Sequence, residues 1–154
     1  MRALTDRDQI LIELDAARSR VMAAIAGLTE EEMSQRESDG WSVNDHLTHI
    51  TFWHEMRFFE ISRIATGGFA GFPVTDEAGV EHIKQQFVAN RRSLPMTQVL
   101  ADLDFARAMV RQAITTSSED RLDQRLYEEL GPNGAGHETD HAEAIDSWRK
   151  GMGI

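Results

Sequence analysis

The sequence predicts an all-α fold, a four-helix bundle with short accessory helices, and three observations predict it. Long stretches place apolar residues at steps of three and four, which lays them along one side of a helix. Stop and start signals separate those stretches: Gly27, Ser42, Gly67-Gly68, Pro95 and the run Gly131-Pro132-Asn133-Gly134-Ala135-Gly136. No segment makes a convincing strand, and no internal repeat or low-complexity tract interrupts the pattern.

The first helix starts after Thr5, a residue able to cap free amides, and carries Ile10, Leu14, Ala17, Val21, Ile25 and Leu28 on one stripe. Thr29 then opens Glu30-Glu31-Glu32-Met33, a short turn of helix, and Ser34 to Gly40 is a polar connector. The second long helix begins at Ser42, three residues before Asp45, so the two can form a capping box. Its stripe is Val43, Leu47, Ile50, Trp53, Ile61 and Ile64, with Phe52, Met56 and Phe59 near the opposite side. A helix apolar on two sides is central in a bundle or covered by another subunit. Thr66 to Gly79 reads as a loop, and Glu77 to Arg92 as a weaker helix with Val80, Ile83 and Phe87 inward and Val88 a further candidate. Pro95 fits the first turn of the third long helix, whose stripe is Val99, Leu103, Ala106, Val110, Ala113 and Ile114. Leu122 to Leu130 suits a helical turn or an extended segment, and the last helix runs to about Lys150. The whole chain, 154 residues, is expected to form one domain.

Composition excludes more than it names. The absence of cysteine rules out disulfides and thiolate ligands. No run of eighteen apolar residues offers a membrane span, and the acidic start lacks the apolar core of a signal peptide, so a cytoplasmic location is expected. A formal net charge of −10 sets the expectation of no nucleic-acid partner and no membrane partner, since both favour a basic face.

Chemistry concentrates in His137-Glu138-Thr139-Asp140-His141. At about 100° per residue His137, His141, Ile145 and Trp148 share one stripe, and histidines one turn apart can share a metal ion. The match to the zinc-protease motif, with Glu138 as general base, is set aside: none of the residues after His141 is a histidine, and Glu138 points off the stripe. A third ligand must come from upstream. His46, His49 and His54 on the second long helix, and His82, are the candidates, and periodicity prefers His46 or His54 to His49, which sits on the flank.

Gly40-Trp41-Ser42-Val43-Asn44-Asp45-His46-Leu47-Thr48-His49-Ile50 resembles the helix signature of the DinB-like superfamily, which includes mycothiol-dependent maleylpyruvate isomerase N-terminal domains, related thiol transferases and genotoxin-resistance proteins. The last helix, with His137, His141 and Trp148-Arg149, is similar to that superfamily's. So are Leu28 to Met33 and Ser118 to Leu122. The resemblance implies a metal site of His49, His137 and His141 holding a divalent ion (zinc, nickel or manganese). It also implies a small-molecule substrate, a low-molecular-weight thiol as co-substrate, and a homodimer. The function expected is metal-dependent transfer, isomerisation or hydrolysis; the alternative is a non-catalytic bundle that binds or sequesters a small molecule. Arg57 is a candidate for an anionic substrate, although Glu60 one turn away explains it more simply.

Overall fold

The computed structural model describes residues 6–37, 40–68, 76–118 and 135–154. Among them every regular element is a helix: α1 (Asp6–Ile25), α2 (Glu30–Ser34), α3 (Val43–Ala65), α4 (Glu77–Asn90), α5 (Met96–Thr116) and α6 (Gly136–Met152). The four long helices and the accessory turn at Glu30 stand where the apolar spacing predicts them. The cap expected at Thr5, the segment Leu122 to Leu130 and the loop residues Gly131 to Gly134 lie outside the described residues, as does 69–75 of the expected loop. No described helix is long and apolar enough to cross a membrane. The chain divides into two compact units, Met1–Thr29 with Leu122–Ile154, and Glu30–Arg121.

In the first unit α1 packs on α6. Ile10, Leu14, Ala17, Val21 and Ile25 form the buried stripe of α1, and Leu28 continues it beyond the helix end. Gly27 adopts a left-handed φ of 78°, a conformation costly for a residue with a Cβ, and so ends the helix where the sequence placed its stop. The carbonyls left open there are met from α6: Arg149 Nη1 donates to Ala24 O at 2.9 Å and to Ala26 O at 2.8 Å. Arg20 and Asp146 add an ion pair between the same two helices.

In the second unit α3 is central, packing on α5, α4 and α2. Its start is the expected capping box: Asp45 N donates to Ser42 Oγ and Ser42 N donates to Asp45 Oδ2, each at 3.1 Å. Val43, Leu47, Ile50, Ile61 and Ile64 are buried along α3, matched by Val99, Leu103, Ala106, Val110 and Ile114 along α5. Phe52 is buried on another side of α3, its ring 5.3 Å from that of Phe87 on α4. That contact covers the second apolar side of α3 at Phe52, while Phe59 farther along is exposed. Glu30 of α2 accepts from Met96 N at 3.2 Å, supplying the cap that Pro95, standing just before the helix, does not make with a side chain.

Three expectations change. Pro95 occupies the cap rather than the first turn of α5. Ile83 is exposed, because Val88 is the buried residue of α4. Trp53 is half-buried rather than core, because it lies at the edge of a stripe whose centre runs through Ile50 and Ile61.

Candidate functional site

On α6 the two motif histidines face each other. Their Nε2 atoms are 3.0 Å apart and their rings meet edge to face at 4.4 Å. Two imidazoles bound to one ion at about 2.0–2.1 Å stand about 2.9–3.4 Å apart for right-angle to tetrahedral geometry, so this pair fits a shared divalent metal. Both histidines are half-buried, and the sequence reading is corrected on this point. The buried stripe of α6 is Glu138, Ala142 and Ile145, while His137, His141 and Trp148 flank it. The helical wheel accounts for the difference: Ile145 lies between the two sets, and the side of it holding Ala142 faces inward. Glu138, set aside as a general base from sequence, is only 2% exposed, and its burial was not anticipated.

On α3, His46, His49 and His54 are all buried. Trp41, just before the cap, places its ring 5.2 Å from the rings of both His46 and His49, and Trp53 stands edge to face with His49 at 6.4 Å. Two indoles therefore confine the His49 ring one and two turns into the helix. His46 Nε2 lies 3.5 Å from a carboxylate oxygen of Glu37, a contact that is an ion pair only when the ring is protonated. His82 on α4 is exposed, a surface histidine as expected. Thus the structure brings His137 and His141 together in the first unit and sets His49 between aromatic side chains in the second.

Two more charged side chains are buried in the second unit. Glu60 of α3 is 0% exposed and pairs with Arg57, and Arg107 of α5 is 6% exposed. The signal for Arg107 was its position, four residues after Leu103 and three before Val110. Reading the stripe through apolar residues alone passed over it. Burial pushes the Glu55 carboxyl above its ordinary range, against the pull of Arg91 and with the help of Asp102. On α4, the hydrogen bond from Lys84 holds Glu81 below it, with smaller help from Gln85.

An all-helical chain with this histidine placement defines a class of helical proteins before any comparison is made. The comparisons then place it: the family model of the DinB superfamily matches residues 13–145, and the chain belongs to that superfamily. Its fold is that of solved DinB-like structures. An uncharacterised protein from Escherichia coli UTI89 superposes with a TM-score of 0.81 at 17% identity, covering 96% of this chain and 95% of that one. The colibactin self-resistance protein ClbS, crystallised in complex with a dsDNA, gives 0.80 at 14% identity over 96% and 98%. A Clostridium difficile 630 protein gives 0.78 at 12% identity over 97% and 98%. No curated protein matches the chain significantly.

The ClbS complex corrects one expectation. A formal net charge of −10 does not exclude a nucleic-acid partner, because a protein of this fold is crystallised with a dsDNA. The physical reason is that net charge sums the whole chain, whereas phosphates respond to the local field of the few side chains that face them.

Proposed function

We propose that this chain is a metal-dependent enzyme acting on a small molecule, with His49, His137 and His141 as the protein ligands. One observation carries the reading. On α6 the Nε2 atoms of His137 and His141 stand 3.0 Å apart, the separation that two imidazoles take on one ion. The donor set is chemically apt, since three neutral imidazoles suit zinc, nickel or manganese and leave coordination positions for a reactant. A divalent ion held there supplies Lewis-acid chemistry, acidifying a bound water or thiol or polarising a carbonyl.

The chain's own residues do the positioning. Trp41 and Trp53 fix the His49 ring, and the α6 backbone fixes His137 against His141. Without a cysteine in the chain, a thiol reactant is a separate small molecule, and the reading keeps a low-molecular-weight thiol as co-substrate, a cytoplasmic setting and a homodimer. The test is metal analysis of the purified native protein together with a screen of electrophilic substrates with and without thiols. About one equivalent of divalent metal and thiol-dependent turnover are expected. Protein that takes up no metal when offered zinc, nickel or manganese ends the reading.

A second reading, contact with nucleic acid, is favoured by the ClbS–dsDNA complex alone. Fluorescence anisotropy of a labelled duplex over a salt series tests it. Binding that weakens steeply with salt supports it, and no binding at low salt removes it.

A further inference from the structure

Two phenylalanines of the second unit stand in solvent, Phe59 of α3 at 52% exposure and Phe105 of α5 at 67%. The course of the helices brings them to one side. Arg92, just before α5, pairs with Asp45 in the first turn of α3 at 3.4 Å, and the two helices then pack on each other, so they run parallel from a common end. Farther along, Glu55 of α3 feels the charge of Asp102 on α5, and these two acids mark where the helices come level. Phe59 follows Glu55 by four residues and Phe105 follows Asp102 by three, each one turn on along the same side. The result is one surface across α3 and α5, acidic at one level and aromatic at the next.

Packing does not account for Glu55. Its side chain is half-buried, yet among the described residues its carboxylate makes no hydrogen bond and no ion pair. The cation that attracts it, Arg91, is engaged elsewhere: its Cζ lies 3.4 Å from the Phe87 ring centre and its Nη1 donates to Phe87 O at 3.3 Å. Asp102 accepts from Gln98 Nε2 at 2.7 Å. A carboxylate held partly out of water without a hydrogen bond costs stability, and the two rings beside it contribute no burial. Grouped exposed apolar side chains with charge at their edge are what a contact surface consists of.

Charge decides what covers the surface. A second copy meeting this one through the same patch would set Glu55 and Asp102 against their own like. An anionic membrane is disfavoured on the same ground. A cation gives Glu55 a hydrogen-bond donor, and the stem of a lysine or arginine lies well along an aromatic ring. Two parallel helices side by side leave a groove that a third helix fills, apolar side down.

We propose that the Phe59–Phe105 side of α3 and α5 is a docking surface for a basic amphipathic helix of a partner protein, its apolar stripe on the two rings and a lysine or arginine on Glu55. The surface lies wholly within the second unit and is independent of the metal centre.

The experiment titrates the purified protein into a fluorescein-labelled helical peptide of leucine and lysine, apolar along one side, and into its leucine–glutamate counterpart, following anisotropy at low salt. The native protein binds the lysine peptide and not the glutamate one. Phe59→Ser/Phe105→Ser weakens binding about tenfold or more, as loss of aromatic anchors does. Glu55→Gln weakens it about fivefold while its melting temperature is no lower than the native one, so misfolding is not the cause. Glu13→Gln, which removes the same charge from α1, leaves binding unchanged. Binding that ignores the two phenylalanines, or that falls equally in Glu13→Gln and Glu55→Gln, is general attraction to an acidic protein and overturns the inference. So does sedimentation showing native self-association that Phe59→Ser/Phe105→Ser abolishes, since a second copy is then what covers the face.

Discussion

The Nε2 atoms of His137 and His141 face each other at 3.0 Å across one turn of α6. Two ring nitrogens that close share either a proton or an ion, and in both cases neither histidine is an ordinary surface residue. His137→Ala removes one side of the pair while keeping a good helix former at a half-buried position. It is expected to lose bound metal by more than the roughly 10–100-fold that loss of an outer-shell partner costs, with helical circular dichroism unchanged. Metal content of the purified variant checks this, and an unaltered content would remove α6 from the site.

Much of the fold was legible because its signals are local. The α3 capping box was readable from Ser42 and Asp45 alone, and the α1 stripe from Ile10 to Leu28. The His137–His141 pairing was equally plain, since one turn of helix brings positions i and i+4 together whatever surrounds them. Which side of α6 faces inward was not, because that depends on α1, and the wheel fits a stripe through His137 almost as well as one through Glu138. His46, His49 and His54 are all buried, so neither periodicity nor burial singles out one of them as a ligand. Nor could a sequence sum of charge disclose where a fold meets a polyanion.

The capping box makes its own prediction. Ser42→Ala removes the acceptor for Asp45 N at the start of the central helix of its unit, and a lost cap costs about 1 kcal/mol. Ser42→Gly costs only a few tenths. Urea denaturation of the two variants should show that order, with unchanged m-values.

Arg149 closes the end of α1 from α6, through Ala24 O and Ala26 O. Arg149→Met keeps most of the aliphatic stem but leaves both carbonyls without this donor. The expected loss is about 1–2 kcal/mol, toward the low end for a hydrogen bond to a charged group because Ala26 O is solvent-accessible. Arg149→Lys should recover part of it, since an ammonium reaches one carbonyl more readily than two. Thermal unfolding of the three proteins at one pH measures the series.

Glu55 gives the pH dependence. Burial raises its carboxyl pKa above the unfolded value, outweighing the attraction of Arg91. The folded state therefore holds the proton more tightly than the unfolded chain does. Stability from this group is fully present below the unfolded pKa and is lost as pH rises through the folded one. At neutral pH the native protein thus carries a half-buried, partly desolvated charge that Glu55→Gln removes with little change of shape. The variant should melt at a higher temperature than the native protein near pH 7. The gap should narrow as pH falls through the carboxylate range, where Glu55 takes up its proton and the two side chains become alike. Melting curves of both proteins from pH 7 to pH 4 decide the matter. A native protein that is the more stable of the two at neutral pH would show that the Arg91 attraction, not desolvation, governs this carboxylate.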